Sequence, residues 1–238
     1  MTPVASVVLF DIDGTLVQTA RAGVRGMNAA FEELHGRANA LSGVPIAGRT
    51  DRAIVSDAFR AAGLDPTTDA IDALRDAYVR HLDVEIRRPA VGGFGVLPGV
   101  QRLLERLAGP AVSVGLLTGN FERGAAIKLA HFDLWRRFAF GAYGDDHLDR
   151  RDLVPVACER CRAAGLEVTP AMMIIIGDTP LDVDCAHAHG AIAVAVATGL
   201  YPRETLREAG ADVVVETLEE LAGDEDWIGR VTAGVRGD

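Results

Sequence analysis

The sequence predicts an α/β protein in which a doubly wound parallel sheet forms the core and an all-helical segment is inserted after the first strand. Two patterns support this fold class. Short apolar runs rich in β-branched residues alternate with helix-length amphipathic segments, as expected when helices cover both faces of a parallel sheet. Between Gln18 and Gly95, by contrast, the patterns are helical and contain no buried-strand run.

The strands and helices of the core are expected to follow one another in regular order. The first strand is expected over Val4–Phe10, where an apolar run ends in the turn sequence Asp11-Ile12-Asp13-Gly14. Later apolar runs predict strands at Val112–Leu117, Met172–Ile176, Ile192–Val196 and Val213–Val215, and a weaker one around Phe138–Phe140. Amphipathic segments predict helices at Gly99–Leu107, Arg123–Leu134, Leu153–Ala164 and Leu181–His189, and a short surface helix containing Trp227.

The inserted segment is expected to form a helical cap over residues 18–95, which leaves residues 1–17 and 96–238 as the α/β core. Its helical patterns cover Val24–Leu34, Ala53–Ala62 and Ala70–Val84. Glycines in the two connections, Gly14–Gln18 and Gly92–Pro98, make these segments natural hinges.

Composition excludes several classes of protein. The chain has 238 residues, 34 acidic and 24 basic, and its net charge of −10 argues against a basic face for nucleic acid. Its hydrophobic fraction of 49% is typical of a globular protein, and no apolar stretch is long enough to span a membrane. The first residues show no signal peptide, and three cysteines suit a reducing compartment, so a cytoplasmic protein is expected.

Polar residues follow three of the predicted strands at the point where each strand ends. They are Asp11 and Asp13, then Thr118, Gly119 and Asn120, then Asp178 with Asp182 one turn further on. In an open parallel sheet these ends meet at one edge, where ligands bind. Four carboxylates in one crevice would repel each other without a cation, and oxygen ligands beside a phosphate favour Mg²⁺.

Three of these segments resemble the motifs of one enzyme family. Phe10–Leu16 is similar to the first motif of the haloacid dehalogenase-like hydrolase superfamily, Leu117–Asn120 to the second and Gly177–Asp182 to the fourth. Their order and spacing match, and the resemblance covers essentially the whole chain, including the inserted cap. It is strongest to the phosphoglycolate phosphatase and β-phosphoglucomutase group, which implies a Rossmann-like core.

The resemblance implies a chemical role for the residues at the first two strand ends. Asp11 would be the nucleophile that forms an aspartyl-phosphate, and Asp13 would be the general acid and base. The Thr118 hydroxyl and the Gly119 amide would hold the transferring phosphoryl oxygens. Asn120 is expected either to cap the following helix or to contact the substrate.

The resemblance also implies a metal site. Mg²⁺ would be held by Asp11, the backbone carbonyl of Asp13 and Asp178, with Asp182 as a supporting ligand. Haloacid dehalogenases that attack carbon need no Mg²⁺ and lack the second aspartate, so Asp13 favours phosphoryl transfer.

The family's third motif normally supplies a lysine, and here the sequence departs from the pattern. The expected stretch contains Arg150 and Arg151 but no lysine, and Lys128 is the only lysine in the chain. Arg150 is our first choice for the missing cation, because it lies where the lysine is expected, and Arg151 is the second. Lys128 is a third candidate, although its place about two turns into a helix favours a surface lysine.

In the predicted cap, Ile46–Asp51 resembles the loop that closes over substrate in this group. Gly48 would supply the turn, and Thr50 or Asp51 would begin the next helix. Arg49 is expected to contact the leaving group, and the alternative is a solvated surface arginine.

These observations predict a Mg²⁺-dependent phosphatase acting on a small phosphate ester such as phosphoglycolate or a sugar phosphate. No nucleic-acid or membrane partner is expected, and the oligomeric state is not predicted. Two alternatives remain at this point. A phosphomutase would use the same four carboxylates, and a non-catalytic phospho-ligand sensor would use the site only for binding.

Overall fold

The computed structural model describes residues 6–89, 91–109 and 111–235. Its strands are β1 (Ser6–Phe10), β2 (Val17–Thr19), β3 (Phe94–Val96), β4 (Val112–Leu117), β5 (Gly141–Ala142), β6 (Met173–Gly177), β7 (Ile192–Val196) and β8 (Val213–Val215). Its α-helices are α1 (Ala22–His35), α2 (Asp51–Ala61), α3 (Thr68–Glu85), α4 (Val100–Leu107), α5 (Glu122–His131), α6 (Leu153–Ala163), α7 (Pro180–His187), α8 (Arg203–Glu208), α9 (Leu218–Gly223) and α10 (Trp227–Val235).

Six strands form one parallel sheet in the order β5-β4-β1-β6-β7-β8. The strand that comes first in the sequence lies inside the sheet, and its last residue, Phe10, pairs with Leu116 on one side and Ile176 on the other. The chain winds outward in both directions from β1, so a crevice is expected at the carboxyl end of that strand. The predicted doubly wound α/β fold is confirmed.

The buried sheet separates two apolar cores. Val8 and Phe10 of β1 pack into the core that contains residues of α4, α5 and α9, whereas Val7 and Leu9 pack into the core beneath α6 and α7. Successive side chains of a strand point to opposite faces, and both faces are covered by helices. The first strand is therefore apolar at every position after Ser6 and holds its end rigidly in place.

Helices α1, α2 and α3, which we call the cap helices, pack around a third apolar cluster. The two connections that lead to them pair with each other, because β2 and β3 form an antiparallel ribbon in which Val17 faces Val96. The sequence patterns showed no strand here. The division into residues 18–95 and the remainder stays an expectation, and residues 1–5, 90, 110 and 236–238 lie outside the described residues.

Three further details differ from the sequence-based expectations. The strand expected around Phe138–Phe140 is found at Gly141–Ala142, and β1 begins at Ser6, since Val4 lies outside the described residues. The helix that begins at Trp227 is not merely a surface helix, because that side chain is buried in the core. In the described part of the chain, no helix combines the length and the apolar character needed to cross a bilayer.

Candidate active site

The carboxyl ends of β1, β4 and β6 bring the predicted polar residues to one edge of the sheet. Asp11 directly follows β1, and its N–H donates to the Ile176 carbonyl of β6 at 2.9 Å. The chain then turns, with Gly14 in the left-handed region at φ 83°. Thr118 and Asp178 directly follow the neighbouring strands β4 and β6 and are buried beside Asp11.

Three of the four predicted metal ligands form a compact carboxylate cluster. Oxygen atoms of Asp11, Asp178 and Asp182 all lie within 4.8 Å of one another, and all three residues are buried. Two glycines make room for Asp178: a Cβ at Gly14 would lie 2.4 Å from its Oδ2, and a Cβ at Gly199 would lie 1.7 Å from the same atom. A side chain at either position would displace the Asp178 carboxylate, and the positive φ of Gly14 also favours glycine there.

The electrostatics of this cluster fit a bound divalent cation. Burial raises the pKa of Asp11 to about 6, although the charge of Arg150 opposes the shift. Burial, together with the charges of Asp182 and Asp11, raises the pKa of Asp178 well above its ordinary value. The Thr15 hydroxyl donates to Asp178 Oδ1 at 3.4 Å. Buried carboxylates with raised pKa values and few donors are satisfied by a hard cation such as Mg²⁺.

Arg150 lies inside the site, in a short 3-10 helix before α6. Its Nη2 is 3.1 Å from Asp11 Oδ1 and 2.5 Å from Asp182 Oδ1, and its Nη1 donates to the Gly48 carbonyl at 3.1 Å. Burial alone would lower the pKa of this guanidinium, but the charges of Asp182 and Asp11 outweigh it and raise the pKa. Arg151, by contrast, is exposed and pairs with Asp149.

Asp182 links this arginine to the start of α7. Its Oδ2 accepts from the Thr179 N–H at 3.0 Å and from the Thr179 hydroxyl at 2.7 Å, which forms a capping box. Its Oδ1 accepts from Arg150. Both oxygens thus have protein partners, which suits a residue that orients Arg150.

Lys128 is buried, and the expectation of a surface lysine is wrong. Its side chain is only 6% exposed, and its Nζ is 2.5 Å from Asp13 Oδ2 and 2.6 Å from Asn120 Oδ1. The lysine extends from α5 beneath the cap helix α3, which contacts α5. The first turn of α1 also lies against its ammonium at Gly23, so the pattern of α5 by itself gives no sign of the burial.

The side chain of Asn120 orients Asp13. Its Nδ2 donates to Asp13 Oδ2 at 2.9 Å and to Thr118 Oγ1 at 2.8 Å. It does not cap α5, which begins after Phe121 without a side-chain cap, so the capping alternative is wrong and its contact with substrate stays a prediction. The Asp13 side chain remains 42% exposed and lines the cavity above the cluster.

The loop before α2 rests directly on the core. A Cβ at Gly48, where φ is 71°, would lie 2.5 Å from Thr179 Oγ1, and a Cβ at Gly119 would lie 2.1 Å from the Arg49 carbonyl oxygen. The Arg49 guanidinium itself turns to Asp57 at 2.7 Å, within the cap helices. Its expected contact with a leaving group stays a prediction.

Asp51 connects the cap helices to the core in a way that the sequence patterns did not show. Its carboxylate accepts from the Phe121 N–H at 2.9 Å, and its own N–H donates to the Gly119 carbonyl at 2.6 Å. Thr50, rather than Asp51, is the N-cap of α2. Burial raises the pKa of Asp51 to about 7, although the nearby Lys128 ammonium opposes the shift.

These groups share one cavity of about 590 Å³ between the strand ends and the cap helices. Carboxylates of Asp11, Asp13 and Asp178 and the Arg150 guanidinium line its floor, and mainly apolar side chains of the cap helices line its far wall. A small ligand in this cavity would contact both carboxylates of the first motif.

Comparison with known proteins agrees with this geometry. The model of the haloacid dehalogenase-like hydrolases matches residues 8–196. Phosphoglycolate phosphatase of Rhodospirillum rubrum is 29% identical over 224 residues, which cover 93% of this chain and 90% of that protein. N-acetylmuramic acid 6-phosphate phosphatase of Pseudomonas putida is 28% identical over 222 residues, covering 90% and 93%.

The solved structures show the same fold. CbbY from Rhodobacter sphaeroides, crystallised with phosphate, matches with a TM-score of 0.70 at 20% identity, covering 91% of this chain and 96% of that one. The chain therefore belongs to the haloacid dehalogenase-like hydrolase family, which confirms the resemblance of its motifs and the predicted hydrolase class.

Proposed function

We propose that this enzyme is a Mg²⁺-dependent phosphatase that hydrolyses a small phosphate monoester, such as phosphoglycolate or a sugar phosphate, through an aspartyl-phosphate on Asp11. The main support is that one cavity holds two carboxylates with different partners. Asp11 is buried beside Arg150, whereas Asp13 faces the cavity beside Lys128. Relatives that are named phosphatases support the choice of a phosphate ester.

In the first step, a carboxylate oxygen of Asp11 attacks phosphorus, and the bond from phosphorus to the ester oxygen breaks. The leaving oxygen takes a proton from Asp13, which Asn120 and Lys128 hold at the cavity floor. Arg150 offsets the negative charge around Asp11 during the attack. The Thr118 hydroxyl and the Gly119 amide would hold the phosphoryl oxygens.

In the second step, water attacks the phosphorus of the aspartyl-phosphate while Asp13 accepts its proton. The bond between phosphorus and the Asp11 oxygen breaks, which releases phosphate and restores the carboxylate. Closure of the cap helices over the site would exclude bulk water during the first step, and the loop at Gly48, which packs against Thr179, would be part of that closed arrangement. Opening of the cap helices would admit water and release products.

Asp11, the Asp13 carbonyl and Asp178 would hold Mg²⁺, with Asp182 supporting the site through Arg150. When bound, the ion supplies positive charge that offsets the phosphoryl oxygens in the transition state. We assign the third-motif role to Arg150, because it contacts Asp11 directly, whereas Lys128 contacts Asp13.

The proposal is tested by a screen of metabolite phosphate esters with MgCl₂, with the Asp11→Asn variant as the blank. We expect phosphate release from at least one small ester, with no isomerised product. An isomerised sugar phosphate without net phosphate release would indicate a phosphomutase instead. No turnover of any ester by folded protein would favour the sensor.

We also propose a cytoplasmic location, since the cysteines Cys158, Cys161 and Cys185 are all buried and unpaired.

A further inference from the structure

Helix α5 directly follows the second motif, and two of the free N–H groups at its start are bonded from outside the helix. The first hydrogen bond within α5 runs from the Ala125 N–H to the Phe121 carbonyl at 2.8 Å. The N–H groups before it have no acceptor in the helix, and the N-cap residue, Phe121, offers no side-chain acceptor. The Phe121 N–H donates instead to Asp51 Oδ2 at 2.9 Å. The N–H of Glu122 donates to Asp145 Oδ2 at 2.5 Å, so two aspartates outside the helix supply its cap.

Both of these aspartates are connected to the cap helices. Asp51 is itself the first residue of α2. Asp145 lies in the loop after β5, but its carboxylate pairs with Arg75 of α3 at 3.2 Å. Its carbonyl accepts from the guanidinium of Arg52, on α2, at 3.4 Å. The start of α5 is therefore held by the cap helices twice, once directly through Asp51 and once through the salt bridge to Asp145.

Asp51 also bonds to the backbone of the second motif. Residues 118–121, which we call the second-motif loop, lie against the loop before α2. The Asp51 N–H donates to the Gly119 carbonyl at 2.6 Å, two residues before the N–H that its carboxylate accepts. The two loops are in close contact, because a Cβ at Gly119 would lie 3.0 Å from the Thr50 Cα. A single residue of α2 thus fixes both ends of the segment from Gly119 to Phe121.

The second-motif loop presents groups that the proposed function needs. The Thr118 hydroxyl and the Gly119 amide are the proposed donors to the phosphoryl oxygens. The Asn120 side chain holds the carboxylate of Asp13, the proposed acid, at 2.9 Å. Misplacement of such groups by about 1 Å is enough to slow a reaction strongly. Contacts that fix this loop from the cap side therefore link the position of the cap helices to the geometry of the reacting groups.

The charges that face the Asp51 carboxyl are compatible with this role. The Lys128 ammonium attracts it, the carboxylates of Asp13 and Asp145 repel it, and burial raises its pKa to about 7. In either protonation state the group keeps an oxygen that accepts from the Phe121 N–H. The contact therefore requires an acceptor at this position rather than a negative charge.

We propose that Asp51 is a positioning residue for phosphoryl transfer, through which docking of the cap helices fixes the second-motif loop in its reactive arrangement. This inference rests on the proposed function. Asp51 acts through the Gly119 carbonyl and the Phe121 N–H rather than by contact with the substrate. Docking of the cap helices and binding of the phosphoryl group then favour each other, because both stabilise the same conformation of residues 118–121.

The test compares Asp51→Ala, which removes the acceptor, with Asp51→Asn, which keeps one. Hydrogen exchange of the full-length protein, measured at the amides of Phe121 and Glu122, reports on the loop without any ligand. We expect exchange about tenfold faster in Asp51→Ala than in the wild type, and most of the protection to return in Asp51→Asn. Thr67→Ala is the matched control. Thr67 caps α3 by accepting from the Ala70 N–H at 3.2 Å, so its loss weakens a cap helix and is expected to leave this exchange unchanged.

Kinetics with p-nitrophenyl phosphate and MgCl₂ separate positioning from a general loss of stability. In Asp51→Ala we expect kcat/KM to fall about tenfold or more and inhibition by inorganic phosphate to weaken, with most of both recovered in Asp51→Asn and both kept in Thr67→Ala.

The proposal is overturned if Asp51→Ala exchanges at the wild-type rate, if it keeps the wild-type kcat/KM, or if Asp51→Asn or Thr67→Ala is equally impaired. If folded wild-type protein hydrolyses no phosphate ester, the proposed function itself is wrong. A faster exchange in Asp51→Ala would then show only that the cap helices stabilise the second-motif loop.

Discussion

The buried carboxyl of Asp51 makes stability depend on pH in a direction that can be measured. Burial raises its pKa to about 7 in the folded protein, from an ordinary value of 3.8. The folded state therefore holds this proton more tightly than the unfolded state does. The stabilisation is complete below about pH 4 and is lost as the pH rises through about 7. The Asp51→Asn variant keeps an acceptor for the Phe121 N–H but has no proton to lose.

The size of the effect follows from the two pKa values. A difference of about three units corresponds to about 4 kcal/mol of unfolding free energy once Asp51 is fully ionised. Between about pH 5 and pH 8, the stability advantage of Asp51→Asn over the wild type is expected to grow by roughly 2 to 3 kcal/mol. Near pH 4 the two proteins are expected to be equally stable.

Urea unfolding of both proteins at several pH values, followed by circular dichroism, measures this difference. Asp57→Asn is the matched control on the same helix, because Asp57 is half-exposed and its hydrogen bond from Arg49 lowers its pKa. Loss of that charge is expected to give no gain in stability at high pH. A constant difference between Asp51→Asn and the wild type across the pH range would refute the reasoning.

Three further predictions concern turnover. Arg150→Ala removes the cation beside Asp11, so kcat is expected to fall about 100-fold or more, with partial recovery in Arg150→Lys. Turnover at the wild-type rate by Arg150→Ala would contradict the assignment of Arg150 as the third-motif cation. In Gly119→Ala the new Cβ would lie 2.1 Å from the Arg49 carbonyl oxygen and would push the loop before α2 away from the core. We therefore expect kcat/KM to fall about tenfold or more. An unchanged kcat/KM would show that this contact is not needed. Removal of divalent cations with a chelator is expected to abolish phosphate release and added Mg²⁺ to restore it, and undiminished activity of the chelated protein would contradict the metal site.

Local sequence patterns were sufficient to predict the sheet and the residues at its edge. Asp11 and Asp178 each follow an unbroken apolar run. The carboxyl ends of parallel strands meet at one edge of the sheet regardless of the conformation of the connecting loops. Arg150 lies beside Asp11, as expected from the family resemblance, which places a cation at that distance from the second motif; its role stays a proposal. These assignments needed no knowledge of how the inserted helices pack.

The contacts that sequence analysis did not predict all depend on that packing. Lys128 lies on α5, whose own pattern is weakly amphipathic, and its ammonium is enclosed by Gly23 of α1, Asp13 and Asn120, which are distant in the sequence or off the helix. The Asp51 carboxylate bonds to a core N–H that is distant in the sequence. Tyr78 fits between Gly23 and Gly124, whose missing side chains leave room for its ring and hydroxyl. The sequence did contain one indication of a special role for Lys128, because it is the only lysine among 24 basic residues.

The proposed nucleophile can be tested most directly by capturing its covalent intermediate. Wild-type protein and the Asp11→Asn and Asp13→Asn variants are mixed with phosphoglycolate and MgCl₂, quenched in acid during turnover and digested for mass spectrometry. We expect a phosphoryl group on the peptide that contains Asp11, more of it in Asp13→Asn than in the wild type, and none in Asp11→Asn. Phosphorylation of a different residue, or phosphate release by Asp11→Asn at the wild-type rate, would contradict the account.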